Sequence, residues 1–339
     1  MIDTLAQHDL LQAELGMVRN LMRDSIHCSN LAMQDCIAKL LGNPGKMLRP
    51  SLVILAARIS GSNGHGEAWD PTWGGDTRVH RLAAAIEILH MATLVHDDVI
   101  DGASIRRKLP SVFASHGARF AILLGDLLFS AAFQLVADLA DTRHTSRLAK
   151  AVRAISESEI LQMNRIDPDN PGIRQYLHQI IGKTATLFAL SCRAGAELLE
   201  TSPDKLHSLQ RAGYNLGMAF QIVDDIMDLD DTGANSGKTA GLDLQLGLLT
   251  MPIILALRAM HHENPKNGTF SQILKKETPS LQDIVEIRNM VRQWDGIYLA
   301  RRWVQRYSDR AIRELRIFPE SEALDLFLTL TQVLSQRVS

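Results

Sequence analysis

The chain has 339 residues, 46% of them hydrophobic, and is therefore long enough to bury a large core. Lys and Arg total 36 against 38 Asp and Glu, and the resulting net charge of −2 excludes the strong positive charge of a nucleic-acid-binding protein. A charged fraction of only 22% also excludes wholesale disorder.

The composition predicts helices. Aromatic residues make up 5% and strand-forming runs are scarce, whereas stretches rich in Ala, Leu, Arg, Gln and Glu favour helix. The predicted helical stretches are 78–100, 117–141, 145–164, 174–199, 204–229, 251–260 and 281–315. Gly- and Pro-rich loops separate them at 61–76, 165–172, 230–241 and 261–268. Because these loops are evenly spread, we predict one all-α domain, residues 1–339, of roughly ten or more helices.

The cysteines and the N-terminus predict a cytoplasmic protein. Cys28, Cys36 and Cys192 are scattered, without C-x-x-C spacing, and are expected to be small reduced core residues. Asp3 and Asp9 stand where a signal peptide needs a basic start and an apolar core. No uncharged apolar run approaches the ~18 residues that span a bilayer, so no integral membrane segment is expected.

Two acidic clusters lie inside apolar stretches: LVHDDVID with Asp97, Asp98 and Asp101, and FQIVDDIMD with Asp224, Asp225 and Asp228. The first and third Asp of each cluster are four residues apart, so on a helix both carboxylates share a face and repel. Burying such charge without a partner is costly. Mg²⁺ resolves the conflict, because it takes one or two carboxylates together with waters and substrate phosphate oxygens. A single cluster could be a solvated helix edge, but two copies favour a metal site for a polyanion.

Basic residues suited to that polyanion occur in several places. One, Lys183, interrupts an apolar stretch, where a cation is costly without an anionic partner. The others follow the first cluster or lie in Gly-containing loops and turns, where a lone cation is usually solvated surface: Lys46, Arg49, Arg106, Arg107 and Lys238.

At these residues the chain resembles the trans-isoprenyl diphosphate synthases, or polyprenyl synthases, over about residues 40–260. The motifs that carry the resemblance are GKMLRP, AAAIEILHMATLVHDDVIDGASIRRKLP, LLGDLLFSAAF, IIGKTATLF, and FQIVDDIMD with the following GKTAGLDLQLGLLTMP. The resemblance implies an isoprenoid-synthase helix bundle around a central cavity. It also implies a prenyltransferase that adds isopentenyl diphosphate to an allylic diphosphate, head to tail and trans.

The resemblance assigns roles to the polar residues. Asp97 and Asp101 would hold two Mg²⁺ ions and mainly Asp224 a third, and the other carboxylates of the clusters, Asp98, Asp225 and Asp228, count among the metal-binding residues. The allylic diphosphate would be clamped with help from Arg106, Lys183 and Lys238. Isopentenyl diphosphate would bind through Lys46, Arg49, His90 and Arg107. Thr184 and Gln221, close in sequence to the charged groups, would stabilise the allylic cation through their oxygens.

The size of the side chains before the first acidic motif predicts the length of the product. Short-chain members of the family place Phe or Tyr at the fourth or fifth position before the first motif, where the ring forms the floor that stops the growing prenyl chain. This chain has Thr93 and Ala92 at those positions. Leu89 lies one turn further along the same helix. We therefore expect a long product, hexaprenyl or longer, with the floor deeper in the bundle, at Leu128, Phe129 or Phe133. The alternative is that Ala92 simply packs against another helix.

The chain departs from the family pattern at three places. A phosphate-binding Lys is replaced by Leu248, which puts one diphosphate contact in doubt. Ser158 replaces the usual Gly before Glu159, and the C-terminal G-G-I signal is Asp295-Gly296-Ile297.

Other functions remain open at this point. The product could be geranylgeranyl or farnesyl diphosphate, or the chain could be a non-catalytic subunit of a heteromeric synthase, although such a subunit is expected to have lost Asp residues. A class I terpene cyclase would carry a single D-D-x-x-D motif. Helical faces too apolar for a monomer surface predict a homodimer.

Overall fold

The computed structural model describes residues 8–43, 45–61, 76–106, 109–164, 166–199, 201–230, 247–263, 269–276 and 279–338. Helices dominate, which confirms the predicted all-α class. In chain order they are α1 Asp9–Ser25, α2 Leu31–Gly42, α3 Leu48–Gly61, α4 Thr77–Ile100, α5 Val112–His116, α6 Ala118–Ala137, α7 Thr142–Met163, α8 Ile173–Ile180, α9 Thr186–Glu197, α10 Pro203–Asp230, α11 Met251–Glu263, α12 Thr269–Leu274, α13 Leu281–Gln293, α14 Gly296–Leu315 and α15 Glu322–Gln336.

A short hairpin follows α4. Its strands, β1 Ile105–Arg106 and β2 Leu109–Pro110, are antiparallel, with Ile105 paired to Pro110. The sequence analysis did not predict it, because two-residue strands are too short to show alternation.

Two of the predicted helical stretches are interrupted. The stretch 281–315 is divided into α13 and α14, because Asp295 has a φ of 54° and a left-handed residue cannot continue a right-handed helix. The stretch 174–199 contains a π-helical turn, Ile181–Ala185, between α8 and α9. Such turns insert an extra residue and redirect the side chains around them.

The chain divides into two compact units, and each is described by itself. Unit 1 comprises Met1–Val152, Leu187–Tyr214 and Ala311–Thr331, and unit 2 comprises Arg153–Thr186, Asn215–Arg310 and Gln332–Ser339. The single domain of residues 1–339 stays a prediction.

The core of unit 1 is built around α4, which packs against α1, α3 and α6. Helix α1 contributes an apolar stripe that recurs every three or four residues, and each buried Leu or Met in it contributes about 2 kcal/mol. The stripe consists of Leu11, Leu15, Val18 and Met22, all at most 1% exposed. Cys36 and Cys192 are buried and unpaired, as predicted, whereas Cys28 is half-buried.

A buried ionic cluster ties α1 to its neighbours in unit 1. Glu14 accepts a hydrogen bond of 2.9 Å from Nε of Arg58, and its other oxygen lies 3.3 Å from Nε2 of His80. Burial alone would raise the pKa of Glu14, but the hydrogen bond with His80 and the charge of Arg58 hold it below its ordinary value. Removing Arg58 would leave the buried charge of Glu14 without its cationic partner.

Helix α6 is the most apolar of the helices described. Among the described helices it is the one that is long and apolar enough to cross a membrane. The core helices of many proteins have the same length and composition. Only 44% of its apolar window is buried, so the helix is buried on one face. The opposite face exposes Ile122 and Leu123 by 44% and 52%.

The core of unit 2 lies where α11 packs against α8 and α13. Its fully buried side chains include Ile253, Ile254, Ile287 and Val291. A capping box begins α13: the Ser280 hydroxyl accepts from the backbone N–H of Asp283, whose carboxylate accepts from the N–H of Ser280.

Candidate active site

The first acidic cluster ends helix α4 in unit 1. Asp97 and Asp98 lie in its last turn, 9% and 2% exposed, and Asp101 is the C-cap, its backbone N–H donating to the carbonyl of Asp97 at 2.8 Å. The C-terminal end of a helix carries partial negative charge, so carboxylates there are unfavourable without a cation. No basic residue lies in the last turn of α4. This end of the helix is therefore suited to an added cation.

Within this cluster, Asp98 is paired with Arg106. The β1–β2 hairpin brings Nε of Arg106 to 2.6 Å from Oδ1 of Asp98. Burial raises the pKa of Asp98, while the guanidinium acts in the opposite direction. Arg106, predicted to clamp a diphosphate, is thus held beside the cluster by Asp98. The other two carboxylates of the cluster, Asp97 and Asp101, lie one helical turn apart. Arg107 lies outside the described residues.

The residues predicted to bind isopentenyl diphosphate lie on two elements of unit 1. Arg49 is buried in the first turn of α3, with its guanidinium 5.1 Å from the ring centroid of Phe188. Lys46 is exposed in the turn before that helix, and His90 is half-buried on α4, two turns before Asp97. His90 and Asp97 therefore share a face of α4.

Unit 2 carries Lys183 and Thr184 on the π-helical turn. Nζ of Lys183 lies 3.0 Å from Oε1 of Glu159, so the anionic partner expected for a cation in an apolar stretch is a carboxylate of α7. Helix α7 approaches this turn so closely that a Cβ added at Gly182 would lie 2.4 Å from Cβ of Ser158. Ser158 stands where the family has Gly, and its side chain fits because Gly182 opposite it has none.

A chain of hydrogen bonds connects this turn to the second acidic cluster. The Thr184 hydroxyl donates to Oε1 of Gln221 at 2.7 Å, and Nε2 of Gln221 donates to Oδ1 of Asp225 at 3.0 Å. The Tyr176 hydroxyl donates to Oδ2 of Asp225 at 2.5 Å. Because an ionised carboxylate only accepts, Asp225 fixes the amide of Gln221 with its oxygen toward Thr184.

The second acidic cluster lies near the C-terminal end of α10, where no basic residue occupies the last turn. Asp224 is exposed, Asp228 is half-buried, and Asp225 is 3% exposed. Both oxygens of Asp225 accept hydrogen bonds from the protein, whereas Asp224 and Asp228 are the pair one turn apart. The metal-binding role predicted for Asp225 therefore competes with Tyr176 and Gln221.

The structure adds little about Lys238 and Leu248, the two predicted positions that follow α10. Lys238 lies outside the described residues. Leu248 is half-buried and places an apolar side chain where the family has a phosphate-binding Lys.

The predicted chain-length residues lie on α4 and α6, which pack against each other. Leu89, Ala92 and Leu128 are fully buried, whereas Thr93, Phe129 and Phe133 are partly exposed. Of the two positions predicted to lack a floor, Thr93 is the one with accessible surface, and Ala92 packs against its surroundings.

Sequence reasoning missed Tyr176 and Gly125. A Cβ at Gly125 would lie 2.1 Å from Nε2 of His96, so only Gly allows α6 to approach α4 there. Nε2 of His96 lies 3.0 Å from the carbonyl oxygen of Ile122, so this ring joins α4 to α6. The Gly in LLGDLLF was the available signal.

The donor set fits Mg²⁺ held jointly with a phosphate ligand. Among the described residues, no three His, Cys, Asp or Glu side chains are gathered to hold an ion by themselves. Each cluster offers hard carboxylate oxygens at i and i+4, the number that Mg²⁺ uses when waters and phosphates complete its shell. A cavity of about 500 Å³ lies elsewhere, between the end of α1 and α2, lined by residues such as His27 and Ile37, and contains none of the predicted site residues.

The chain as a whole is similar to known proteins of one family. Residues 31–291 match the family model described as Polyprenyl synthetase. The chain is 32% identical over 333 residues to heptaprenyl diphosphate synthase component 2 of Geobacillus stearothermophilus, with 98% of each chain covered. It is 28% identical over 298 residues to octaprenyl diphosphate synthase of Escherichia coli, with 88% of each covered. A polyprenyl synthase of Caulobacter crescentus CB15, crystallised with calcium and isoprenyl diphosphate, has a TM-score of 0.89 at 29% identity, covering 100% of this chain and 98% of that one.

Proposed function

The chain belongs to the polyprenyl synthetase family and is a prenyltransferase of isoprenoid biosynthesis, and we propose that it makes a polyprenyl diphosphate of hexaprenyl length or longer. It would do so by adding isopentenyl diphosphate units to an allylic diphosphate. The observation that carries the proposal is the pair of acidic clusters, each near the C-terminal end of a helix with no basic residue in its last turn. The heptaprenyl and octaprenyl synthases among its relatives support a long product.

We further propose that Asp97 and Asp101 share two Mg²⁺ ions with the allylic diphosphate and that Asp224 shares a third. When bound, Mg²⁺ supplies Lewis-acid stabilisation of the leaving diphosphate. Asp98 would hold Arg106 toward that diphosphate, and Lys183, tethered by Glu159, would supply a further cation. Lys238 and the isopentenyl diphosphate ligands Lys46, Arg49, His90 and Arg107 complete the proposed set.

The residues of unit 2 suit the reaction itself. The allylic C–O bond breaks with its electron pair leaving on the diphosphate. The double bond of isopentenyl diphosphate then forms the new C–C bond, and the proton released passes to the departed diphosphate. Because the Thr184 hydroxyl hydrogen is donated to Gln221, the oxygen lone pairs are what Thr184 can present to the cation. Apolar helices around the site would exclude water, which would quench the cation.

We propose that the active form is a cytoplasmic homodimer formed through α6. This helix exposes Ile122 and Leu123 on the face opposite its buried one, and exposed apolar surface of this kind marks protein interfaces. A substitution such as Leu123→Glu should convert the dimer to a monomer in light scattering, and an unchanged mass would contradict the interface. The Geobacillus relative is named as one component of an enzyme, so a different partner chain is the competing assembly.

The direct test is elongation. Purified protein is incubated with farnesyl diphosphate, labelled isopentenyl diphosphate and Mg²⁺, and the products are sized by reversed-phase chromatography. We expect products of hexaprenyl length or longer. Elongation only after addition of cell extract would indicate a missing partner subunit, and no elongation in either case would contradict the proposal.

A further inference from the structure

Helix α14 carries a stripe of exposed arginines. Its sequence has five Arg against two acidic residues, although the whole chain is slightly acidic. Arg302, Arg306 and Arg310 are exposed and follow one another at intervals of four residues, so they share one face. With the rise of an α-helix this stripe is about 12 Å long.

Aromatic rings hold two of the three guanidinium groups in place without neutralising them. The guanidinium of Arg306 lies 5.6 Å from the ring centroid of Trp303, and that of Arg310 lies 5.7 Å from the ring of Tyr307. No ion pair joins the three groups to a carboxylate in the described part of the chain. Asp309, beside the stripe, accepts a hydrogen bond of 2.8 Å from Gln305. The stripe therefore keeps its positive charge toward solvent.

One turn before the stripe, at the same spacing, Tyr298 is 59% exposed. An exposed aromatic ring with a polar tip is suited to the level of lipid headgroups. A basic helix face with an exposed aromatic residue at its end is typical of surfaces that lie on membranes.

We propose that the face of α14 formed by Tyr298, Arg302, Arg306 and Arg310 docks the enzyme on anionic phospholipid bilayers. The choice of a bilayer over another polyanion rests on the proposed function, because a long polyprenyl chain is insoluble in water and must be delivered to lipid. Each Arg near an anionic surface contributes about 1 kcal/mol, so the three together strengthen binding on the order of 100-fold.

The test is co-sedimentation of the full-length protein with vesicles of phosphatidylcholine containing about one third phosphatidylglycerol, compared with vesicles of phosphatidylcholine alone. We expect binding to the anionic vesicles only, weakened by salt because exposed charges are screened. The triple variant R302Q/R306Q/R310Q should lose on the order of 100-fold in affinity, and the Arg-to-Lys triple at the same positions should retain binding. The control K39Q/K150Q/R153Q removes the same charge from exposed positions on other helices and should bind like the parent.

Equal loss in both glutamine triples would overturn the assignment of the surface to α14. Binding to neutral vesicles, no binding to either kind, or tight binding to RNA in place of vesicles would overturn the choice of partner. Elongation activity in detergent is measured on the same samples, and it should be equal in all variants. An inactive parent that still binds anionic vesicles would contradict the proposed function and leave the docking surface standing.

Discussion

The hydroxyl of Tyr176 lies 2.5 Å from Oδ2 of Asp225, and both side chains are 3% exposed. Asp225 accepts from Gln221 as well, and Gln221 accepts from Thr184. Tyr176 is thus a positioning residue three contacts away from the Thr184 oxygen.

Replacing Tyr176 should affect turnover more than substrate binding. Tyr176→Phe removes one donor from Asp225 and loosens the amide of Gln221, so we expect kcat to fall on the order of tenfold with little change in KM for isopentenyl diphosphate. Steady-state kinetics measure both constants. Tyr298→Phe, at an exposed position, is the control and should leave both unchanged. Equal kinetics for Tyr176→Phe and the parent would show that Tyr176 does not act on Gln221.

Asp101→Asn tests the first acidic cluster by two measurements, of kcat and of the free energy of unfolding, which should not fall together. Loss of a metal-binding carboxylate should lower kcat on the order of 10³-fold, because stabilising the leaving group is worth several kcal/mol. Without ligand, the free energy of unfolding should stay equal or rise by about 0.5 kcal/mol, since negative charge at the end of α4 opposes the helix dipole. Asp24→Asn, in the last turn of α1, makes the same change outside the site and should leave activity intact. Loss of both activity and stability in Asp101→Asn would contradict this account.

Product length should respond to bulk at Thr93 and Ala92. Thr93→Phe enters partly accessible space and should shorten the product by several isoprene units without a change in Tm. Ala92→Phe should also shorten it, but the fully buried position means that overpacking costs roughly 1–3 kcal/mol of stability. Chromatography of the products and thermal unfolding give the two readouts. Unchanged product length in both variants would show that these two positions of α4 do not limit the length of the prenyl chain.

Stability should fall in mild acid because of His144. Its side chain is buried, with both ring nitrogens lacking hydrogen-bond partners, and burial lowers its pKa, although the nearby Asp141 and Glu197 act in the opposite direction. The unfolded chain therefore takes up a proton at a higher pH than the folded protein, and the free energy of unfolding decreases as pH falls below about 6.5.

Chemical denaturation between about pH 7 and pH 5 measures this slope. His144→Gln should flatten it, whereas His262→Gln, at an exposed position, should not. The carboxylates of Glu14 and Glu197 have lowered pKa values and lose their contribution only as pH falls through those values, in a lower window. An identical slope in the parent and His144→Gln would rule out His144 as its source.

The sequence could predict features that depend on local periodicity. The spacing of Asp97 and Asp101 put both on one face of a helix. The apolar surroundings of Lys183 predicted an anionic partner; the structure supplies the carboxylate of Glu159, and the diphosphate expected there stays a prediction. Neither requires knowledge of which helices meet.

Other features depend on tertiary packing and left no periodic signal. Tyr176 and Asp225 are 49 positions apart and meet only because the tertiary structure of unit 2 brings their helices, α8 and α10, within hydrogen-bond distance. The pairing of Asp98 with Arg106 needed a hairpin too short to be read from alternation. The break at Asp295 depends on one backbone angle that a non-glycine residue rarely adopts.

The position of both acidic clusters near the negative ends of their helices has a consequence for the life of the protein. Neither α4 nor α10 carries a basic residue in its own last turn to offset the negative end of the helix. The proposed metal–diphosphate complex would bring cations to both helix ends, and a ligand at a hundred times its Kd adds about 2.7 kcal/mol to the stability of the folded state. The supply of isoprenoid precursors would then govern how long each molecule of the enzyme survives, as well as how fast it works.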